Sequence, residues 1–222
     1  MTVPACPDGY PFRKLGGSVM AKQLIISVGR EFGSGGHVIA EELAGRFGLP
    51  LYDNNLLEHI AEEKEISHDG LKKYDEKPKN RLFSRTVRGY SNSMQENLAN
   101  MQFDYLKKKA ADGESFVVVG RCSETILKGN EGLVTVFVLG DPQVKAERIK
   151  TVYGVSEEEA RRMMKREDWN RKSYHNYYCK GKWGDSRNYD FSINSSKLGI
   201  DKTADMLETC IRARMERTGN GG

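Results

Sequence analysis

Apolar and polar residues fall along this chain in blocks whose period changes from strand to helix and back. The run Leu24-Ile25-Ile26-Ser27-Val28 reads as a buried strand that breaks into four glycines within eight residues, Gly29, Gly33, Gly35 and Gly36. Val38, Ile39, Leu43, Ala44 and Phe47 then recur at helical spacing until Gly48, a stop signal. Pro50-Leu51-Tyr52-Asp53 predicts a second short strand ending in a carboxylate, and Asn54 or Asn55 caps a helix through Leu56, Leu57 and Ile60. Residues 67–90 are polar and basic and read as a loop. Met94, Leu98, Met101, Tyr105 and Leu106 predict a helix over roughly 93–111. Phe116-Val117-Val118-Val119 and the run Leu133 to Leu139 are unbroken apolar strands of the kind buried on both faces in a parallel sheet, with a short helix over about 123–128 between them. Asp141-Pro142 opens one helix, with Asp141 as the cap and Pro142 at the first helical position; the capping-box pattern Ser156-Glu157-Glu158-Glu159 opens a long charged one. A late strand over 189–194 and a final helix over about 202–217 close the chain.

Strands alternating with helices argue for an α/β fold with a parallel sheet covered on both faces, in which ligands bind beyond the carboxyl ends of the strands. Three landmarks fall at such ends: the glycine loop, Asp53 and Gly120-Arg121. No internal repeat or low-complexity linker divides the chain, so residues 20–218 are expected to form a single domain. Residues 1–19, with Pro4, Pro7 and Pro11, are expected to be a poorly ordered extension, not a signal peptide.

At 222 residues and 38% hydrophobic content the chain buries a real core without staples. Its net charge of +4 suits a small anionic molecule and is too mild to argue for nucleic acid. Cys6, Cys122, Cys179 and Cys210 are scattered, which fits a reducing cytoplasm, and no apolar run approaches the ~20 residues that span a bilayer. A soluble monomer or homodimer, with neither nucleic acid nor membrane as a partner, is the expectation.

Strand, glycine turn and helix together present backbone N–H groups and a helix N-terminus to a phosphate. A standard loop of this kind ends in Gly-Lys-Ser/Thr, and here Gly36 occupies the Lys position. The nearest cations are Arg30 and His37; Arg30 is favoured because it is always charged and bidentate. Arg121, at the end of a buried strand, points a guanidinium at the same crevice. The helix from Ser156 carries Arg161, Arg162, Lys165, Arg166, Asp168 and Arg171 at spacings that share faces: a solvated surface, or a set of cations for a transferring phosphoryl group. His175-x-x-x-Cys179 has half the spacing of a zinc site, but no matching second pair accompanies it, so no metal ligand is assigned.

Four segments together resemble the cytidylate kinase-like branch of the nucleoside monophosphate kinases: Gly29-Arg30-Glu31-Phe32-Gly33-Ser34-Gly35-Gly36, Leu51-Tyr52-Asp53, Val118-Val119-Gly120-Arg121-Cys122 and Asp168 with Arg171. The resemblance implies a three-layer α/β/α P-loop fold with a mostly parallel five-stranded sheet, a substrate-binding helical region over about 55–112 and a helical lid over about 150–185. It also implies transfer of the ATP γ-phosphoryl group to a monophosphate such as CMP or dCMP, with Mg²⁺. On that resemblance Gly29, Gly33, Ser34, Gly35, Gly36 and His37 hold the donor phosphates. Arg30, Arg162 and Arg166 supply catalytic charge. Asp53, Arg121, Asp168 and Arg171 bind the acceptor. The chain departs from the pattern at Gly36 in place of Lys, at Val38 in place of the hydroxyl residue that helps hold Mg²⁺, and at Cys122 in place of the Asp that helps read cytosine. Those departures leave two other readings open: a nucleotide-binding protein without turnover, and a kinase for a different small metabolite.

Overall fold

The computed structural model describes the backbone of residues 23–64, 86–87, 90–91 and 94–219, and the side chains of 23–61 and 96–217. The extension expected over 1–19 and most of the basic segment 67–90 lie outside the described residues. Along the chain run β1 (Ile25–Arg30), α1 (Gly36–Phe47), β2 (Leu51–Tyr52), α2 (Leu56–Lys64), β3 (Thr86–Val87), β4 (Tyr90–Ser91), α3 (Met94–Ala111), β5 (Phe116–Val119) and α4 (Ser123–Ile126). Then follow β6 (Leu133–Leu139), α5 (Pro142–Tyr153), α6 (Glu157–Tyr178), β7 (Phe191–Asn194), α7 (Ser195–Leu198) and α8 (Ile200–Gly219).

Five of the strands form one sheet in the order β2-β5-β1-β6-β7, and every pairing in it is parallel. β3 and β4 form a separate antiparallel pair inside the segment read from sequence as a loop. β1 runs further than its apolar residues suggest, because Gly29 and Arg30 keep register with Phe137 and Val138 of β6. That extension delivers Arg30 to the carboxyl edge of the sheet.

Side chains alternate across the sheet, and each face has its own helices. Ile26, Val28, Val117, Val119, Val134, Val136 and Val138 pack with Ile39 and Leu43 of α1 and Leu207 and Ile211 of α8. On the opposite face Ile25, Phe116, Val118 and Leu133 pack with Leu56 and Ile60 of α2 and Leu98 and Leu106 of α3. The three-layer architecture expected from the sequence is therefore the one observed.

Helix ends follow the sequence at Gly48 and Ser156 but not at Asp141, nor at α2, where Asn55 Oδ1 accepts from the Asp53 amide and Asn54 Oδ1 from Arg121. Gly48 takes a left-handed conformation (φ +63°) and closes α1, and Ser156 accepts a hydrogen bond from the Glu159 amide at 3.2 Å. Asp141 precedes α5 but its side chain does not cap it: the carboxylate accepts instead from Asn194 Nδ2 at 2.8 Å and Lys197 Nζ at 2.7 Å. This tie joins the start of α5 to the turn after β7, next to the glycine loop. Because Leu43 is fully buried between the sheet and α8, Leu43→Ala should lower unfolding free energy by about 2–5 kcal/mol in urea titration. A loss below about 1 kcal/mol would show that this face is loosely packed.

Candidate functional site

The loop between β1 and α1 is shaped by its own backbone. The Glu31 amide donates to Val138 O at 3.0 Å, while the Ser34 hydroxyl donates to Glu31 O at 2.8 Å and accepts from the Gly36 amide at 3.3 Å. Gly33 and Gly35 both sit at φ +80°, a region closed to most side chains. The amides of Gly35, His37 and Val38 have no acceptor among the described residues, as expected for the first turn of a helix. They open on a cleft of about 310 Å³.

Three guanidinium groups line that cleft, those of Arg30, Arg148 and Arg171. Arg171 donates from Nη1 to Arg30 O at 3.4 Å and lies 5.5 Å over the Phe32 ring. Arg148 reaches across from α5, with Nη1 only 2.9 Å from where a Cβ on Gly35 would stand. Sequence reasoning missed Arg148; its signal was the three-residue spacing from Lys145, which puts both on the face of α5 turned to the loop. The structure also gives the reason for Gly36. A Cβ there would lie 2.6 Å from the Cβ of Arg30, so the side chain of Arg30 takes the space that a lysine at 36 needs.

Lys145 was also missed, and it anchors the loop. The residue is 5% exposed, and its ammonium group lies 2.8 Å from Glu31 Oε2 and 3.4 Å from Asp168 Oδ2. Glu31 accepts as well from the Gly140 amide at 3.1 Å, and Asp168 Oδ1 from the Phe32 amide at 2.6 Å. Burial raises the Asp168 pKa, and the Phe32 amide and Lys145 oppose that rise. The Asp168 carboxylate thus holds α6 to the loop.

Arg121 is 2% exposed and donates from Nη2 to Asp53 O at 3.3 Å and Asn54 Oδ1 at 3.5 Å. It stands in a run of left-handed residues, Gly120 (φ +76°), Arg121 (φ +59°) and Cys122 (φ +54°). The Arg30 guanidinium lies directly on this turn, where a Cβ on Gly120 would be 2.3 Å from Nη1. Arg30, Arg121 and Arg171 thereby converge on a smaller cavity of about 30 Å³, which joins the glycine-loop cleft through Arg30 and Arg171. The Asp53 carboxylate faces His37 at 3.4 Å, and His37 is half-exposed at the rim.

Two of the expected catalytic side chains lie elsewhere. Arg162 pairs with Glu158 and Glu159, and Arg166 with Glu167. Both are more than half exposed, at 58% and 59%, and neither lines the two cavities. The glutamates one turn away that open α6 compete for Arg162.

Behind the Arg121 turn lies a buried cluster that the sequence left unpaired. His175 Nε2 is 2.7 Å from Glu124 Oε1, and Cys122 and Cys179 pack beside them. The Cys179 thiol is lowered by its hydrogen bond to Cys122, against burial, with help from His175; Cys122 is raised by the same bond and by burial. Burial works against charge on His175, yet its bonds to Cys179 and Glu124 raise its pKa.

The profile of the cytidylate kinase-like family matches residues 25–197. The chain belongs to that family. A solved uncharacterized protein from Eubacterium ventriosum ATCC 27560 is 39% identical, covering 86% of this chain and 99% of that one with a TM-score of 0.69. A shikimate kinase from Acinetobacter baumannii in complex with shikimate shares the fold at 10% identity, covering 86% of this chain and 94% of that one with a TM-score of 0.50. No curated protein matches the chain. The architecture is that of a P-loop kinase.

A kinase of this family implies Mg²⁺, and among the described residues the loop side chains do not offer it free oxygens. Val38 offers no oxygen, the Ser34 hydroxyl is donated to Glu31 O, and Glu31 is held by Lys145 and the Gly140 amide. A magnesium ion would depend on oxygens supplied by the nucleotide and water.

The loop anchor is testable by stability. Lys145→Met should cost about 1–3 kcal/mol in urea unfolding, because it leaves two carboxylates facing each other with partial access to solvent. Adding Glu31→Gln and Asp168→Asn to Lys145→Met should recover part of that loss. A triple variant weaker than the single one by the sum of its parts would deny the coupling.

Proposed function

We propose that this chain is an ATP-dependent phosphotransferase that moves the γ-phosphoryl group of ATP to a nucleoside monophosphate of the CMP or dCMP type. The observation that carries this reading is the set of open amides at Gly35, His37 and Val38 facing a cleft lined by three arginines. An anion placed there meets aligned N–H groups, the positive end of α1 and fixed guanidinium forks.

In this reading the loop amides, Arg30 and Arg148 hold the donor phosphates. Arg121, in the smaller cavity, and Arg171, which lines both, hold the acceptor phosphate. Asp168 acts as a positioning residue, since its carboxylate already bonds the Phe32 amide and Lys145. The chemistry asked of the protein is placement and charge stabilisation, with arginine in the role an ammonium group has in standard phosphate loops. The working partner is a small nucleotide. The unpaired thiols of Cys122, Cys179 and Cys210 suit the cytoplasm, and among the described residues no helix is long and apolar enough to cross a membrane.

A second reading keeps the chemistry and changes the acceptor to another small phosphorylated or hydroxylated metabolite. Cys122 favours it: at the family's base-reading position this chain has a buried thiol packed against Cys179.

A coupled assay for ADP formation over all common nucleoside monophosphates and a panel of small phosphorylated and hydroxylated metabolites, set beside calorimetric titration with ATP, tests the proposal. Turnover is expected with CMP or dCMP. Turnover only with another metabolite selects the second reading, and ATP binding without ADP above background for any acceptor contradicts both. Arg30→Ala and Arg148→Ala should each lower kcat/KM by at least about tenfold, which is ~1.4 kcal/mol of transition-state stabilisation. Unchanged turnover in either variant removes that arginine from the donor site.

A further inference from the structure

We propose that Cys122, Glu124, His175 and Cys179 form a zinc site that fastens the end of α6 to the turn carrying Arg121. Cys122, Glu124 and His175 also line the small cavity that the phosphotransfer reading gives to the acceptor, but metal retention is measured without turnover, so the two proposals fail separately. Donor atoms of Glu124, His175 and Cys179 all lie within 4.8 Å of one another, and all three residues are buried. Edges of a tetrahedral zinc site with bonds of about 2.0–2.3 Å are roughly 3.3–3.8 Å, so an ion enters by parting Glu124 Oε1 and His175 Nε2 from their 2.7 Å contact. Cys122 packs in the same buried cluster as Cys179 but stands outside that group of three, so its side chain must turn inward to bring a fourth donor.

The spacing explains why the sequence concealed the site. His175 and Cys179 are four apart and share a face at the last turn of α6. The second pair is not a matching Cys-x-x-Cys but Cys122-x-Glu124, contributed by the strained turn and the first residues of α4. A bond from metal to Cys122 would hold in place two consecutive non-glycine residues, Arg121 and Cys122, that occupy left-handed backbone.

The surroundings of His175 point the same way. Its Nδ1 is 3.3 Å from Asn176 Oδ1, an oxygen that also accepts the Trp183 amide at 2.9 Å. Without metal, Nε2 donates to the Glu124 carboxylate 2.7 Å away, and an ion entering there would take the place of that proton, with Nδ1 left as the donor to Asn176. Donation from the remote ring nitrogen to an oxygen is how metal-binding histidines are oriented. Glu124 is oriented in turn by the Thr125 hydroxyl, which donates to its Oε1 at 3.0 Å. Two sulfurs, one imidazole and one carboxylate form a donor set suited to Zn²⁺ and foreign to Mg²⁺. Glu124 also lines a surface cleft of about 590 Å³ with Thr125 and Tyr178, which gives an ion a way in.

The test uses the full chain, reduced with a phosphine, equilibrated with Zn²⁺ and freed of excess metal. Elemental analysis should find one zinc ion retained per chain. Cobalt substitution should give the near-ultraviolet thiolate-to-metal band. Cys179→Ser and His175→Gln should each weaken zinc binding at least about tenfold, while Cys6→Ser and Cys210→Ser leave it unchanged. Because those variants risk misfolding, the wild-type chain supplies a second readout: zinc should protect Cys122 and Cys179, and not Cys210, from alkylation mapped by mass spectrometry. Absence of retained zinc in the reduced wild-type chain overturns the proposal, as does equal alkylation with and without zinc. Formation of a Cys122–Cys179 disulfide in a chain that binds no zinc once reduced also overturns it and makes the pair a redox element.

Discussion

A buried ammonium group sets the geometry of this protein. Lys145 is almost fully enclosed, and a charge in such a place persists only with partners close by. Its partners are Glu31, inside the glycine loop, and Asp168, halfway along α6. One side chain therefore ties three elements, the loop, α5 and α6, into a fixed arrangement. Asp168 extends the tie to the backbone by accepting the Phe32 amide. With the loop held from behind, its free amides and the N-terminus of α1 face outward into the cleft.

The positive charge of the site follows from the same packing. Arg30 comes from the end of β1, Arg148 from α5 and Arg171 from α6, and the Lys145 cluster fixes all three bases. Gly36 and Gly120 are the counterpart of this convergence: each leaves the space through which Arg30 passes. The close contact at position 36 is with the Cβ atoms of Arg30 and Val138, so any side chain there meets the ends of β1 and β6, and the guanidinium of Arg30 lies separately across Gly120.

Much of this was legible in the sequence. The strands over 116–119 and 133–139 are unbroken apolar runs because both faces of the sheet are covered, and their limits were readable to the residue. The glycine loop was readable because Gly33 and Gly35 are required at positive φ. Lys145 and Arg148 were not, since on an amphipathic helix a basic residue facing a buried carboxylate has the same local pattern as one facing water. Arg162 and Arg166 were attractive for the opposite reason: charge density in α6 suggested a site, whereas the acidic first turn of that helix holds Arg162 on the outer surface. Side-chain pairing between distant elements leaves no periodic trace, and the cluster around Glu124 and His175, 51 residues apart, illustrates this.

The central claim, that loop amides together with guanidinium groups grip a polyphosphate, is tested most directly by a crystal structure of the chain bound to a non-hydrolysable ATP analogue. The account predicts phosphate oxygens within about 2.7–3.2 Å of the amides of Gly35, His37 and Val38, with Arg30 or Arg148 on the terminal phosphate. An analogue seated away from this loop, or phosphates that no arginine touches, would contradict it.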